Sequence, residues 1–187
     1  MADRRYRKTE AAIEAAFLKL VSEKPIRQIT VKELCEVADM NKSTFYAHYQ
    51  DIYAYAEVWL LGTVATFDQI LADYNFEQLI FHLPFVIRRI TEKIHQFSEQ
   101  YRMTAKSPEV STLLVQIKKK LVERMLQRAT AGERADMSFR CSVTFVIFGI
   151  IGLYETYYYS ELTEETIANV SHRIQAAYAL QPFGKLS

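Results

Sequence analysis

Hydrogen-bonding side chains are concentrated between residues 42 and 49, where the sequence is Lys-Ser-Thr-Phe-Tyr-Ala-His-Tyr. The small or polar side chains that could enter a DNA major groove, which is about 12 Å wide, are those of Lys42, Ser43, Thr44 and Ala47. The phenol and imidazole groups that suit phosphate are those of Tyr46, His48 and Tyr49. Such a segment could contact nucleic acid. The alternative is a helical hairpin in which the tyrosines and the histidine only pack or face solvent.

The preceding sequence predicts two helices that would brace this segment. Apolar residues recur at helical spacing over Thr9–Lys24, and Pro25 ends that pattern. Thr30 and Glu33 then form a capping-box pattern ahead of a short helix over Val31–Ala38. We therefore expect a long helix followed by a short one before residue 39.

A three-residue turn, Asp39-Met40-Asn41, separates the short helix from the hydrogen-bonding segment. Aspartate is one of the few residues besides glycine that tolerate a left-handed turn, and Asn41 can cap the next helix. We expect that helix to run from Lys42 to about Tyr49, with Phe45 facing inward. Two short helices joined in this way, after a longer one, predict a helix-turn-helix.

The stretch from Ile29 to Tyr49, with its Thr-Phe-Tyr-x-His-Tyr pattern, resembles the DNA-binding signature of the TetR family of transcriptional regulators. The helix over Thr9–Lys24 also matches, so the resemblance covers roughly residues 5–60. The rest of the chain is similar to that family only in length and helical character. Asp39 stands where the family usually has glycine, and Ile52 stands where it often has a phosphate-binding lysine.

The resemblance implies a role for each matching residue. The residues expected to contact the phosphate backbone are Thr30, Lys32, Tyr46 and His48. The residues expected to approach base edges are Lys42, Ser43 and Thr44. Tyr49 adds a further phenol at the end of the segment. Residues 1–8 are basic and suit phosphate as an arm before the first helix, although a frayed, solvated terminus would have the same composition.

Composition and pattern indicate an all-α protein. The chain has 187 residues, half of them hydrophobic, with 5 glycines, 4 prolines and a net charge of +1. The later helices are expected at Asp51–Ala72, from Pro84 to about Gln100, from Pro108 to about Ala131 with Gly132 as its stop, and at Arg134–Tyr159 and Thr163–Leu180. We expect a three-helix DNA-binding domain over residues 1–50 and a larger helical ligand-binding and dimerisation domain over residues 51–187.

In the TetR family the last two helices pair in a homodimer. The stripes that could pair here, or could be intramolecular core instead, are Phe139, Val143, Ile147, Ile150 and Tyr154, and Ile167, Val170, Ile174 and Ala177. A small-molecule cavity is also usual in that family. The candidate lining residues are Trp59, Phe67, Phe85, Arg89, Tyr101, Phe148 and Glu155. Each could equally be core or solvated surface, and Lys118-Lys119-Lys120 is expected to be solvated.

These features favour a ligand-responsive transcriptional regulator, a repressor by resemblance, that binds a palindrome in double-stranded DNA. The alternative is a co-activator with a degenerate DNA-binding helix. The absence of the family's lysine, where this chain has Ile52, favours that alternative. No catalytic triad, glycine-rich phosphate loop or metal-ligand spacing argues for an enzyme, a metal or a cofactor. Cys35 and Cys141 are expected to be buried in a reducing cytoplasm. No signal peptide is evident, and the most apolar stretch, Cys141–Leu153, is expected to be a buried helix too short to span a membrane.

Overall fold

The computed structural model describes residues 2–96, 108–157 and 163–179, and every regular element among them is helical. The helices are α1 (Ala2–Glu23), α2 (Val31–Val37), α3 (Lys42–Tyr46), α4 (Ile52–Leu71), α5 (Phe76–Phe81), α6 (Leu83–Gln96), α7 (Pro108–Gln127), α8 (Ala131–Ala135), α9 (Met137–Tyr157) and α10 (Glu164–Ala179). A single 3₁₀ turn, Ile26–Gln28, lies between α1 and α2. The prediction of an all-α fold is confirmed.

The chain divides into two compact units. The first holds the described residues within 1–63 and 97–116, and the second holds those within 64–96 and 117–187. The division therefore falls inside α4 and α7, both of which are continuous helices. The division into domains at residue 50 stays a prediction.

The first unit forms around apolar residues of α1 that the helical pattern had marked. Ile13, Phe17 and Val21 are fully buried, and Leu34 of α2 and Phe45 of α3 are buried with them. Helix α1 packs on α2, and α2 packs on α3. The inward position predicted for Phe45 is confirmed.

Helix α1 begins at Ala2, well before the predicted Thr9. Residues 2–8 contain alanine, arginine and lysine and no helix breaker, and these are good helix formers. The predicted basic arm is thus the first part of α1, with Arg4 and Lys8 exposed on it. At the other end the helix stops at Glu23, before Pro25 as expected.

The turn between α2 and α3 has the predicted left-handed residue. Asp39 has φ of 49°, the one positive value among the described non-glycine residues. This conformation lets the Met40 amide donate to the Cys35 carbonyl at 3.0 Å, which satisfies the end of α2. The chain can therefore reverse into α3 within three residues.

Capping boxes start two short helices that the sequence analysis did not predict. The Asn75 side chain accepts from the Gln78 amide at 2.8 Å and so starts α5. The Thr130 side chain and Glu133 form the same reciprocal pair at α8, and those hydrogen bonds lower the pKa of the Glu133 carboxyl. Helix α7 consequently ends at Gln127 rather than near Ala131, and Gly132 lies inside α8. The prediction that Gly132 stops the preceding helix is wrong.

The second unit is organised around α6, which packs on α5 and α10. Leu79, Leu83, Val86 and Ile87 are buried there. The Tyr154 hydroxyl from α9 donates to the Ile87 carbonyl at 2.8 Å and lies 2.6 Å from the Thr91 hydroxyl. Two hydroxyl groups are thereby satisfied inside an apolar region.

Helix α9 buries one face and exposes the other. The stripe considered for a dimer interface, Phe139, Val143, Ile147, Ile150 and Tyr154, is buried within the single chain. That stripe is therefore intramolecular core. On the opposite side Phe145 is 71 % exposed and Cys141 is exposed, so the prediction that Cys141 is buried is wrong, whereas Cys35 is buried as expected.

Within the described residues, α9 is also the one helix long and apolar enough to cross a membrane by length and composition alone. This helix of 21 residues lies within the predicted range Arg134–Tyr159 and contains the apolar stretch Cys141–Leu153. Core helices of soluble proteins can be equally long and apolar. The buried stripe of α9 shows that one face of this helix serves as core.

The left-handed turn gives the first prediction. Asp39→Ala should lower the free energy of unfolding by about 1 kcal/mol, because alanine keeps the Cβ and loses the local hydrogen bonding that helps aspartate adopt this conformation. Asp39→Gly should leave stability unchanged or raise it. Asp73→Gly, at an exposed turn residue with ordinary φ, is the control and should give no gain. Urea denaturation measures all three, and a loss for Asp39→Gly would contradict the argument.

Candidate nucleic-acid interface

Helix α2 is set in place by a side-chain cap and an ion pair. The Thr30 hydroxyl accepts from the Glu33 amide at 3.2 Å, so the predicted N-cap is confirmed. The Glu33 carboxylate does not complete the box, because it pairs with Lys24 at the end of α1. Thr30 and Lys32 are exposed at the start of α2, and Lys32 lies 3.8 Å from Glu36 one turn later.

Helix α3 presents the small and polar side chains to solvent. Lys42 and Ser43 are exposed, Thr44 is half-buried, and the Tyr46 side chain is 57 % exposed. Phe45 points the other way and is 0 % exposed. Asn41 lies at the N-cap position, although its side chain makes no cap hydrogen bond. Of the residues predicted to meet base edges, Lys42 and Ser43 are therefore exposed and Thr44 is partly exposed, while Phe45 anchors the helix.

The thiol of Cys35 lies beneath this motif, at the end of α2. Burial raises the pKa of that thiol, and the positive charge of Lys42 partly opposes the effect. A thiol held protonated in this way is a poor nucleophile. Cys35 thus acts as a small core residue here.

His48 and Tyr49 turn back toward α1. The His48 Nδ1 atom lies 2.8 Å from Glu10 Oε1, and the Tyr49 hydroxyl donates to Glu10 Oε2. The His48 ring also stacks on Tyr6, with centroids 4.9 Å apart and an angle of 24° between the planes. Both residues were predicted as nucleic-acid contacts, and Glu10, which holds them, was missed because it lies far away in sequence.

Burial raises the pKa of the Tyr49 phenol first, and the hydrogen bond to the Glu10 carboxylate and the charges of Glu10 and Tyr6 raise it further. The phenol therefore stays protonated and donates to Glu10. For Tyr49 to donate to a phosphate instead, this hydrogen bond would have to break.

The start of α4 lacks a basic side chain. The Asp51 carboxylate accepts from the Ala54 amide at 2.8 Å and so caps the helix. Ile52 is the first helical residue and is only 4 % exposed, whereas Tyr53 beside it is 59 % exposed. Ile52 is thus a core residue under the motif, and a lysine there would not simply reach outward.

The residues predicted to line a ligand cavity fall into separate groups. Trp59 belongs to the first unit, where it is buried against Phe17 and donates to Glu14 at 3.2 Å. Phe85 and Arg89 are exposed on α6, with the guanidinium 5.8 Å from the ring centroid. Phe67 is half-buried on α4, and Tyr101 lies outside the described residues.

Phe148 and Glu155 converge on a residue that the sequence analysis had assigned to the surface. Lys118 is 7 % exposed and forms an ion pair with Glu155. Its Nζ also lies 5.4 Å from the centroid of the Phe148 ring. The prediction that Lys118 is solvated is therefore wrong, while Lys119 beside it is exposed. A helix passing along a core must direct one of three consecutive residues inward.

This chain is similar to one of the known solved structures. The TetR family repressor AlkX from Dietzia sp. strain DQ12-45-1b, implicated in biodegradation of n-alkanes, is 14 % identical, with a TM-score of 0.43 over 91 % of this chain and 96 % of that chain. No family model matches the chain, and no curated protein matches it.

The buried position of Ile52 gives the second prediction. Ile52→Lys should lower the free energy of unfolding by about 2 kcal/mol or more, because it removes a packed side chain and introduces a charge without a partner. Tyr53→Lys, at the exposed neighbouring position, should change stability by less than about 0.5 kcal/mol. Thermal and urea denaturation compare the two. Equal stability of both variants would show that Ile52 does not belong to the core.

Proposed function

We propose that this chain is a transcriptional regulator of the TetR type that binds double-stranded DNA as a homodimer and resides in the cytoplasm. The observation that carries the proposal is the helix-turn-helix of α2 and α3, in which Phe45 anchors the second helix while Lys42 and Ser43 are exposed and Thr44 is partly exposed. A helix of this kind fits a major groove. Tyr46 and His48 would then bind the phosphates along the groove.

Selection from a pool of random DNA duplexes tests the proposal directly. A homodimer should enrich a palindrome whose half-sites are centred about 34–36 Å apart, or a multiple of that distance. Failure to enrich any sequence under low-salt conditions would contradict DNA recognition by this motif. It would favour the second candidate, a co-activator that acts through protein contacts. The observation that supports this candidate is the uncharged residue Ile52 at the start of α4.

The exposed groups of α3 give the third prediction. Lys42→Ala should alter the preference for one base pair of the selected duplex, with about 1–3 kcal/mol of discrimination at stake. Tyr46→Phe should instead weaken binding to all duplexes by a similar factor, because a phosphate contact carries no base information. Fluorescence anisotropy with a set of singly substituted duplexes measures both. A uniform loss for Lys42→Ala would reassign Lys42 to the phosphate backbone.

The homodimer would use the face of α9 that the single chain leaves open. Phe145 is 71 % exposed, and a Cβ added at Gly149 or Gly152 would meet nothing within 4 Å. Single exposed aromatic residues such as Phe81 are common on surfaces, so the support for a partner comes from Phe145, Gly149 and Gly152 lying on one side of the same helix. The small residues would let a second helix approach closely.

Phe145→Glu gives the fourth prediction. The charge should convert the dimer to a monomer at micromolar concentration, because it would be buried without a partner in the interface. Phe81→Glu is the matched control, since Phe81 is 74 % exposed on α5 and should leave the dimer intact. Sedimentation equilibrium measures the masses. A monomeric unsubstituted chain would contradict the proposal, and association with detergent micelles alone would assign this face to a membrane.

Regulation would come from a small, largely apolar effector that binds the helical core of the second unit, and by resemblance its effect would be to release the protein from DNA. An effector that lowers DNA affinity must itself bind the DNA complex more weakly by the same factor. A thermal-shift screen followed by DNA binding with each hit tests this fifth prediction. Hits that stabilise the protein without altering DNA affinity would contradict a sensing role.

A further inference from the structure

The Glu10 carboxylate receives two hydrogen-bonding groups from the residues that follow α3. His48 Nδ1 lies 2.8 Å from one carboxylate oxygen, and the Tyr49 hydroxyl donates to the other. Among the α1 side chains that the structure describes, Glu10 and Tyr6 face the His48 ring, and Tyr49 faces it from its own segment. From α4, Tyr55 packs on Tyr49 with centroids 4.9 Å apart. Glu10 is thus the one acid in direct contact with this imidazole among the described residues.

This contact determines which nitrogen of His48 carries the proton. An ionised carboxylate only accepts hydrogen bonds, so Nδ1 must be the N–H that donates to Glu10. A neutral imidazole has a single N–H, and Nε2 is then left with a lone pair. Nε2 has no hydrogen-bond partner among the described residues. The His48 side chain is 15 % exposed.

A phosphate oxygen is also only an acceptor. Neutral His48, oriented by Glu10, would present a lone pair to a lone pair and could not form the hydrogen bond that the proposed function requires. The imidazolium form donates from both nitrogens at once, to Glu10 through Nδ1 and to phosphate through Nε2. We propose that Glu10 is a positioning residue that makes DNA binding depend on the uptake of one proton by His48 in each protomer.

This inference rests on the proposed DNA-binding function and fixes the sign of its pH dependence. The protonated form is the one that binds DNA, so affinity is highest at low pH and falls as pH rises. The loss is at most about tenfold per pH unit for each protomer, because each binds one proton. Salt must be held constant, since phosphate contacts also respond to ionic strength.

The experiment measures the dissociation constant of the selected duplex at fixed salt from roughly pH 5.5 to 8.5, the range in which histidine charge changes matter. The unsubstituted protein should bind progressively more weakly as pH rises. Glu10→Gln should flatten the profile and bind better than the unsubstituted protein at the highest pH. The glutamine amide can donate to Nδ1, which lets neutral His48 carry its proton on Nε2. His48→Gln should also flatten the profile and covers the case in which Glu10→Gln does not fold.

Glu14→Gln is the matched control, because Glu14 lies one turn further along α1 and accepts from Trp59 instead. It should keep the pH slope of the unsubstituted protein. If Glu10 were only structural, Glu10→Gln would weaken binding by one factor at every pH and leave the slope unchanged, which would overturn the inference while DNA binding stands. If no duplex is bound at any pH, the proposed function fails as well.

A measurement on the free protein tests the same assignment without DNA. Nitrogen chemical shifts of His48 at high pH should identify the Nδ1–H form in the unsubstituted protein and in Glu14→Gln. The Nε2–H form should gain population in Glu10→Gln. An Nε2–H form in the unsubstituted protein would overturn the inference directly.

Discussion

Helix α3 is only five residues long and cannot hold its own conformation, because an isolated helix of that length is unstable in water. Its orientation depends on the complete burial of Phe45. From there, ring contacts continue through Tyr49, 5.8 Å away, to Tyr55 of α4, 4.9 Å further, and on to Phe17 of α1 at 5.1 Å. Four aromatic rings thus connect the exposed helix to the two long helices of its unit. The polar side chains of α3 can stay free for a ligand because none of them is needed to keep the helix in place.

A second, polar layer lies on one edge of α1. Tyr6, Glu10 and Glu14 follow one another at intervals of four residues, so their side chains share a face of the helix. Tyr6 and Glu10 hold His48, while Glu14 accepts from Trp59 of α4. The long first helix therefore contacts both the residues that follow α3 and the first half of α4. Its additional turns before Thr9 matter, since Tyr6 belongs to them.

Local rules were enough to predict the helix-turn-helix, because its determinants are close in sequence. The inward position of Phe45 follows from helical spacing, and the left-handed Asp39 follows from turn chemistry. The partner of His48 could not be predicted, because Glu10 is 38 residues away and no periodic pattern connects them. The burial of Lys118 does have a sequence signal, because Leu114, Leu121 and Met125 lie four residues before it and three and seven residues after it, which places Lys118 on the apolar side of its helix. The capping boxes at Asn75 and Thr130 were similar: the signal used at Thr30 was present there and was overlooked.

The ion pair between Lys118 and Glu155 has a consequence for how this sequence can change over time. Removing one member of a buried pair leaves the other charge without compensation, whereas replacing both by apolar residues can be neutral. Lys118 is 7 % exposed, whereas the Glu155 side chain is 29 % exposed, so losing Glu155 would strand a buried charge, while losing Lys118 would leave an acid that water can reach. The two positions are therefore coupled in evolution in one direction. Relatives of this chain that keep a lysine at position 118 should also keep an acid at position 155, 37 residues further on, whereas relatives without that lysine are free to vary at position 155.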